Sequence, residues 1–342
     1  MEIPDGADAV PVMTVSRRRG VIVLSTALLV AAVTPGCGSA ADDSATAVHH
    51  NGFPVTVDNC GQEIVFEAPP ERAVGYFQHP VELMLDLGLQ DSVVATVYPD
   101  NPPLPRQDAA YRAIPELSSK DASLEQVLSA APDFVYGGYA SAFDEAAGRS
   151  RQTFTGAGVT TYLNPEYCAT EPITMDDVYG EVRTIAQIFG VQERAGTLVE
   201  TMQSSVAAAR ERVAGVEPLK AFVYDSGEDT AFTAGRQGIG NHIIDLAGAT
   251  NIFADLDDTF ADVSWEQVIQ RDPDVIVIYD YFGTPSVQQK IDFLKSRTEL
   301  ADISAIRDDR FAVLTLQDAV LGVRAPFAVE ALARQLHPDR FR

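Results

Sequence analysis

The chain has 342 residues, 46% hydrophobic and 22% charged, with a formal net charge of −24. That composition is globular and suits one large domain or two lobes. So acidic a surface repels phosphate backbones and argues against nucleic-acid binding, but it does not identify a ligand, because acidity is commonly a solubility device.

The first 37 residues read as an export signal rather than as fold. Arg17-Arg18-Arg19 is a basic n-region, and Gly20 to Val33 is an apolar h-region too short to span a bilayer comfortably. The Gly36-Cys37 step that follows resembles a bacterial lipoprotein cleavage site, which makes Cys37 the expected lipidated residue, although Thr34 stands where Leu is usual. Residues 38–52 form a small and polar tether. Export to an oxidising compartment leaves two cysteines, Cys60 in the turn of a predicted hairpin and Cys168 in a loop. Neither has a His or Cys partner at metal-ligand spacing, so we expect them to pair.

The hairpin pairs Val55–Asp58 with Glu63–Phe66. Arg72–Tyr76 reads as a strand, Phe77–Pro80 as the loop at its end, and Pro80 opens a helix that closes at Gly88. Val93–Tyr98 is a strand, Pro99–Arg106 a Pro-rich loop. A helix from Ser123, a strand from Phe134, a helix over Phe143–Gly156 and a strand over Thr160–Leu163 follow. Strands and helices alternating at this spacing argue for a parallel sheet. After a helix over Met175–Phe189, Gln192–Val213 reads as one amphipathic helix. Ala195, Leu198, Val199, Met202, Val206, Ala209 and Val213 share a face. It would run roughly 33 Å. A second alternation follows: strand Leu219–Tyr224, loop Asp225–Gly240, helix Asn241–Ala247, loop Asp255–Val263, helix from Ser264, strand from Val275, helix to Ser296, strand Phe311–Leu316, and a last helix from Pro326 to Leu336.

The two alternations echo each other. Ser123-Leu-Glu-Gln-Val-Leu-Ser-Ala-Ala-Pro-Asp133 aligns with Ser264-Trp-Glu-Gln-Val-Ile-Gln-Arg-Asp-Pro-Asp274. Each copy is a Ser-capped helix whose Pro-Asp turn feeds an apolar strand. The fold class expected is therefore α/β, with two similar parallel-sheet lobes, 53–190 and 216–342, joined by one long helix, 191–215.

Ligands bind beyond the carboxyl ends of strands in open parallel sheets. Those ends carry Phe77, Gln78 and His79, then Tyr98, Tyr139, Asp225 and Tyr281, with Arg236 and Arg324 able to meet oxyanions. Tyr136 and Tyr279 lie next to buried strand residues and read as core. The histidines do not assemble a metal set, so no metal site is expected. There is no nucleophile elbow, phosphate-binding Gly loop, His-Glu-x-x-His or dinucleotide fingerprint, so an exported α/β enzyme would lack a nominated catalytic residue.

Together these features resemble the substrate-binding lipoproteins of ABC importers for iron–siderophore complexes, cobalamin and haem. The most specific parts are Arg72–Val97, the two Glu-Gln-Val…Pro-Asp segments, Phe232 to Asn251, and Leu300–Arg310. The resemblance covers roughly Val55 to Phe341 and implies two lobes held by a single long helix, with small opening motions. It implies no enzyme activity and no covalent cofactor. It implies a cleft touched by Phe77–His79, Tyr98, the Asp225–Arg236 loop, Trp265 and Arg324. A ferric siderophore is the first expectation, on the argument that a Tyr- and Arg-rich cleft suits anionic chelates, with cobalamin or haem as the alternative. One acidic residue per lobe would dock on the membrane permease; Glu82 and Asp245 match those positions. The expected protein is an extracytoplasmic monomer held to the outer face of the cytoplasmic membrane by the lipid on Cys37.

Overall fold

The structure, a computed structural model, describes residues 52–342. The export signal, Cys37 and nearly all of the tether lie outside the described residues. The chain opens with an antiparallel hairpin, β1 (Val55–Asn59) and β2 (Gln62–Phe66). There follow β3 (Ala73–Tyr76), α1 (Gln78–Asp86), β4 (Val93–Val97), α2 (Asp108–Ala113), β5 (Glu116–Ser118), α3 (Leu124–Leu128), β6 (Phe134–Gly137), α4 (Arg151–Gly156) and β7 (Thr160–Leu163). Strands β3 to β7 form one parallel sheet in the order β5-β4-β3-β6-β7.

Two helices then cross from this sheet to the next, α5 (Met175–Ile188) and α6 (Gln192–Arg212), broken by Gly190 at φ +71°. The second lobe runs β8 (Leu219–Tyr224), β9 (Ala231–Ala234), α7 (Ile239–Leu246), β10 (Ala249–Asn251), β11 (Phe260–Val263), α8 (Trp265–Arg271), β12 (Val275–Asp280), α9 (Val287–Ser296), α10 (Ser304–Arg307), β13 (Phe311–Thr315) and α11 (Ala325–Leu336). Its parallel sheet has the order β10-β8-β12-β13, and β9 and β11 pair as a separate antiparallel ribbon.

Helix α6 is continuous for 21 residues and buries Ala195, Val199, Met202, Val206 and Ala209, the face expected from the spacing of its apolar residues. It is not an isolated rod. It packs beside α5, α7 and α11, and one apolar core runs from the hairpin through these helices to Leu336, covering one face of both sheets. The opposite faces carry separate cores, one under Val74, Tyr76 and Phe154, the other under Phe222, Trp265 and Leu294.

The helix expected over Phe143–Gly156 is only half there. Residues 140–143 make a single 3-10 turn, and α4 begins at Arg151, with the Ser150 side chain accepting from Thr153 N–H. Gly148 sits at φ +71°, and the buried Arg149 guanidinium donates to Ala122 O and Ser141 O, which holds the intervening segment out of helical register. The loops 225–240 and 255–263 contain β9 and β11, whose period-2 pattern is too short to separate from loop composition. Cys60 and Cys168 are bonded, S–S 2.07 Å, tying the hairpin turn to the loop after β7. Beside them Asn59 exchanges both amide hydrogen bonds with the Leu163 backbone, at 2.7 and 2.8 Å, so the hairpin is sutured to the end of β7 twice.

Candidate functional site

Each parallel sheet reverses its winding direction once, between β3 and β6 in the first lobe and between β8 and β12 in the second. At such a switch point adjacent loops leave in opposite directions and open a crevice at the strand ends. The loops after β3, β6 and β12 supply Phe77, Tyr139 and Tyr281 to one cavity of about 920 Å³, with Tyr98 from the end of β4 and Phe282 and Leu316 from the second lobe. That volume lies near the upper end of small-molecule sites. Phe77 and Tyr98 sit at φ +75° and +55°, left-handed conformations that cost a bulky residue energy and persist only where surrounding packing fixes them.

The aromatic walls brace one another. Phe77 meets Tyr139 edge-on at 4.6 Å and Tyr98 at 5.2 Å between ring centroids. Their hydroxyls are largely engaged by protein. Tyr281 OH donates to Asp225 Oδ1 at 2.8 Å, and Gln317 Nε2 lies 3.4 Å from Tyr139 OH. Burial, with Asp225 beside it, pushes the Tyr281 phenol well above its ordinary value, and burial does the same to Tyr139. The rim is acidic: Asp100, Glu116 and Asp121 line it, with Lys120 as the one cation among the described lining residues. Burial raises the Asp100 carboxyl to about 7, and its Oδ1 has no hydrogen-bond partner. Phe282 projects at the mouth with 62% of its surface exposed.

Other residues expected in the cleft are placed elsewhere. Arg324 is turned away from it and forms a two-point ion pair with Glu82, its Nε 2.7 Å from Oε2. Glu82 is 0% exposed and also accepts from Gln78 Nε2 at 2.8 Å, so the expected permease-docking role of Glu82 and the expected ligand roles of Gln78 and Arg324 give way to one buried cluster between the lobes. His79 is also buried there; Nε2 donates to Gly138 O at 3.0 Å, and burial lowers its pKa to about 4, so the ring is neutral. A Cβ on Gly138 would fall 2.5 Å from that ring, which is why glycine stands at this close approach. Arg236 pairs with Asp257 on the second lobe's surface and does not line the cavity. Trp265 is core, its Nε1 donating to Glu228 O at 2.9 Å and its indole packed against Phe222, Tyr224 and Phe293. Asp225 is buried under the floor, where it holds Tyr281 rather than facing the ligand space. Asp245 is exposed near the end of α7. Tyr136 and Tyr279 are core, each 1% exposed.

Asp100, Lys120 and Asp121 went unnoticed in the sequence because they lie in loops, and Glu116 because it opens the three-residue strand β5; neither setting offers a periodicity to count. Phe282 carried a signal, as the last of an aromatic run at a strand tip. Among the described residues no group of three His, Cys, Asp or Glu side chains is placed to hold a metal ion.

A family model described as "Periplasmic binding protein" matches residues 74–317, more than half of the chain. An uncharacterized ABC transporter substrate-binding lipoprotein, YvrC of Bacillus subtilis, is 25% identical over 323 residues, covering 92% of this chain and 96% of its own. The vitamin B12-binding protein of Yersinia pestis is 25% identical over 245 residues, 70% of this chain and 80% of its own. The solved structure of an ABC-type Fe3+-hydroxamate transport system from Saccharomonospora viridis superposes with a TM-score of 0.73 at 27% identity, covering 83% of this chain and 99% of that one.

Proposed function

The chain belongs to the periplasmic binding protein family, solute-binding proteins of ABC transporters rather than enzymes, and on that premise we propose that it captures a metal chelate in the inter-lobe cleft and delivers it to a membrane permease. The observation that carries this reading is the aromatic-walled cavity lying where the switch points of two parallel sheets meet. A ferric siderophore of the hydroxamate kind is the first reading, supported by the hydroxamate-system structure. A corrinoid is the second, supported by the vitamin B12-binding relative and by the breadth of the aromatic walls. The lipid on Cys37 would hold the protein at the membrane's outer face.

Docking requires one reachable carboxylate on each lobe. Glu82 is buried, and Asp245 has no exposed counterpart at an equivalent place. The internal repeat supplies a matched pair instead. Glu125 and Glu266 are both exposed, and both occupy the second position of a helix, α3 or α8, capped by a Ser–Gln capping box. The Ser123 side chain holds Glu125 below the ordinary carboxylate range, so it is charged at any physiological pH. We assign the permease contact to these two.

The reading is tested by thermal unfolding of the full chain against ferrioxamine B, cyanocobalamin and haemin, with native mass spectrometry of the protein from its own host. A bound cargo at a hundredfold excess over its Kd stabilises by about 2.7 kcal/mol. No shift with any chelate and no co-purifying cargo would sink it. For docking, Glu125→Ala with Glu266→Ala is expected to abolish uptake through the reconstituted permease while leaving Kd for the chelate unchanged.

A further inference from the structure

The short turn Pro165–Tyr167, which carries Glu166, is a join between the lobes. Glu166 takes the Ile239 N–H on one carboxylate oxygen and the Leu321 N–H on the other. Asn164 Nδ2 donates to Leu321 O at 2.8 Å, so the first lobe grips Leu321 by both of its backbone groups. Ile239, Leu321, Asn164 and Glu166 are all buried. On the other side of the turn, Tyr167 meets Tyr139 edge-on at 5.3 Å, so the same turn backs a wall of the cavity.

The turn is pinned at both ends by neighbouring residues of one hairpin. At its start Asn59 exchanges hydrogen bonds with the Leu163 backbone, and at its end Cys168 is bonded to Cys60. Beyond Cys168 the chain is exposed through Ala169, Thr170 and Glu171, and its next anchor is Ile173, whose N–H donates to Gln237 O of the second lobe. Cys60 occupies a central position of the two-residue hairpin loop at φ +59°, where Asn or Gly fits with less strain. Turning the chain does not call for a cysteine there; anchoring Cys168 does.

We infer that the Cys60–Cys168 bond anchors an inter-lobe clasp: intact, it aims the Glu166 carboxylate at the two second-lobe amides, and opened, it frees the turn at one end and releases them. The bond is thus a redox-sensitive control on how firmly the lobes are joined, whatever the cleft binds. Cys168 is exposed and Cys60 half-buried. An added dithiol opens the bond by thiolate attack on Cys168 Sγ, which expels Cys60 as a thiolate; the second sulfur of the dithiol then closes on the first and releases Cys168. Two electrons pass from the dithiol to the protein, and the two cysteines end as thiols, taking the two protons that the dithiol gives up.

Native-state hydrogen exchange on the full chain, with and without dithiothreitol, reads the clasp at pH 8, where Glu166, raised by burial to about 7, is largely ionised. Reduction is expected to speed exchange of the Ile239 and Leu321 amides at least tenfold, at rates that do not change with urea below the unfolding transition, the mark of local opening. The amides of the central strand β12 should exchange only through urea-dependent global unfolding. Cys60→Ser with Cys168→Ser should give the same pattern without reagent. Glu166→Ala should release the same two amides with the bond intact, and reducing that variant should add less than twofold at them, with melting curves confirming that the variants fold. Unchanged exchange at both amides on reduction overturns the clasp. A rise that follows urea together with β12 also overturns it, since the bond then acts on global stability alone, as does a full further acceleration on reducing Glu166→Ala.

Discussion

Glu82 and Arg324 show how a residue's chemistry can be read correctly while its partner is not. A Glu on an early helix and an Arg in a late loop each looked available to something outside the chain. Folding brings them together across 242 residues, 0% and 8% exposed in their side chains. A buried ion pair adds little net stability, but removing one partner strands the other charge. Glu82→Ala is therefore expected to destabilise by about 3 to 5 kcal/mol in urea unfolding, and Glu82→Met combined with Arg324→Met to recover most of that loss. His79 and Glu166 give a pair of opposite pH dependences. His79 titrates near 4 in the fold against an ordinary 6.5, so its contribution is complete above pH 6.5 and is lost as the pH falls toward 4. Glu166, raised by burial from 4.5 to about 7, contributes fully below pH 4.5 and is lost as the pH rises through 7. Each limb is worth up to about 3 kcal/mol. His79→Gln should flatten the acid limb and Glu166→Gln the neutral one, read from urea midpoints between pH 4 and 8; unchanged slopes in both would refute the assignment.

At the scale of elements, the internal repeat is the most legible feature. Ser123 and Ser264 cap α3 and α8 in the same way, each accepting from the Gln three residues on while that Gln side chain accepts from the cap's own N–H. The expected cap is there, and its reciprocal partner is the Gln, not the Glu before it, which leaves that Glu exposed on the surface of each lobe. Ser264→Ala should cost about 1 kcal/mol by urea unfolding. The strands that escaped notice, β5, β9, β10 and β11, are three or four residues long and offer no periodicity to count. Helix α6 was legible because 21 residues of regular apolar spacing leave no other reading.

At the scale of the whole molecule, rigidity comes from a shared core and from polar sutures between the lobes. Glu166 of the first lobe accepts the Ile239 N–H at 2.9 Å and the Leu321 N–H at 2.7 Å of the second. Asn164 Nδ2 donates to Leu321 O at 2.8 Å, and Asn101 bonds Gln317. These contacts add to the shared layer of α5, α6, α7 and α11 in tying the two lobes together. The Cys60–Cys168 bond closes a separation of 108 residues, and reducing it, or making Cys60→Ser with Cys168→Ser, should lower stability by about 4 kcal/mol in the chain-entropy model. A melting temperature unaffected by reductant would refute that contribution.

The sequence by itself determined the parallel lobes, the helix between them, the cysteine pairing and the aromatic character of the strand tips. All of these are local or periodic properties, written in apolar spacing, caps and a repeated segment. Tertiary structure alone decided which strand-tip residues face the cavity and which face each other. Charge pairing is a matter of distance in space, and nothing in the order of residues says that Arg324 will spend itself on Glu82 in the interior rather than face the ligand space.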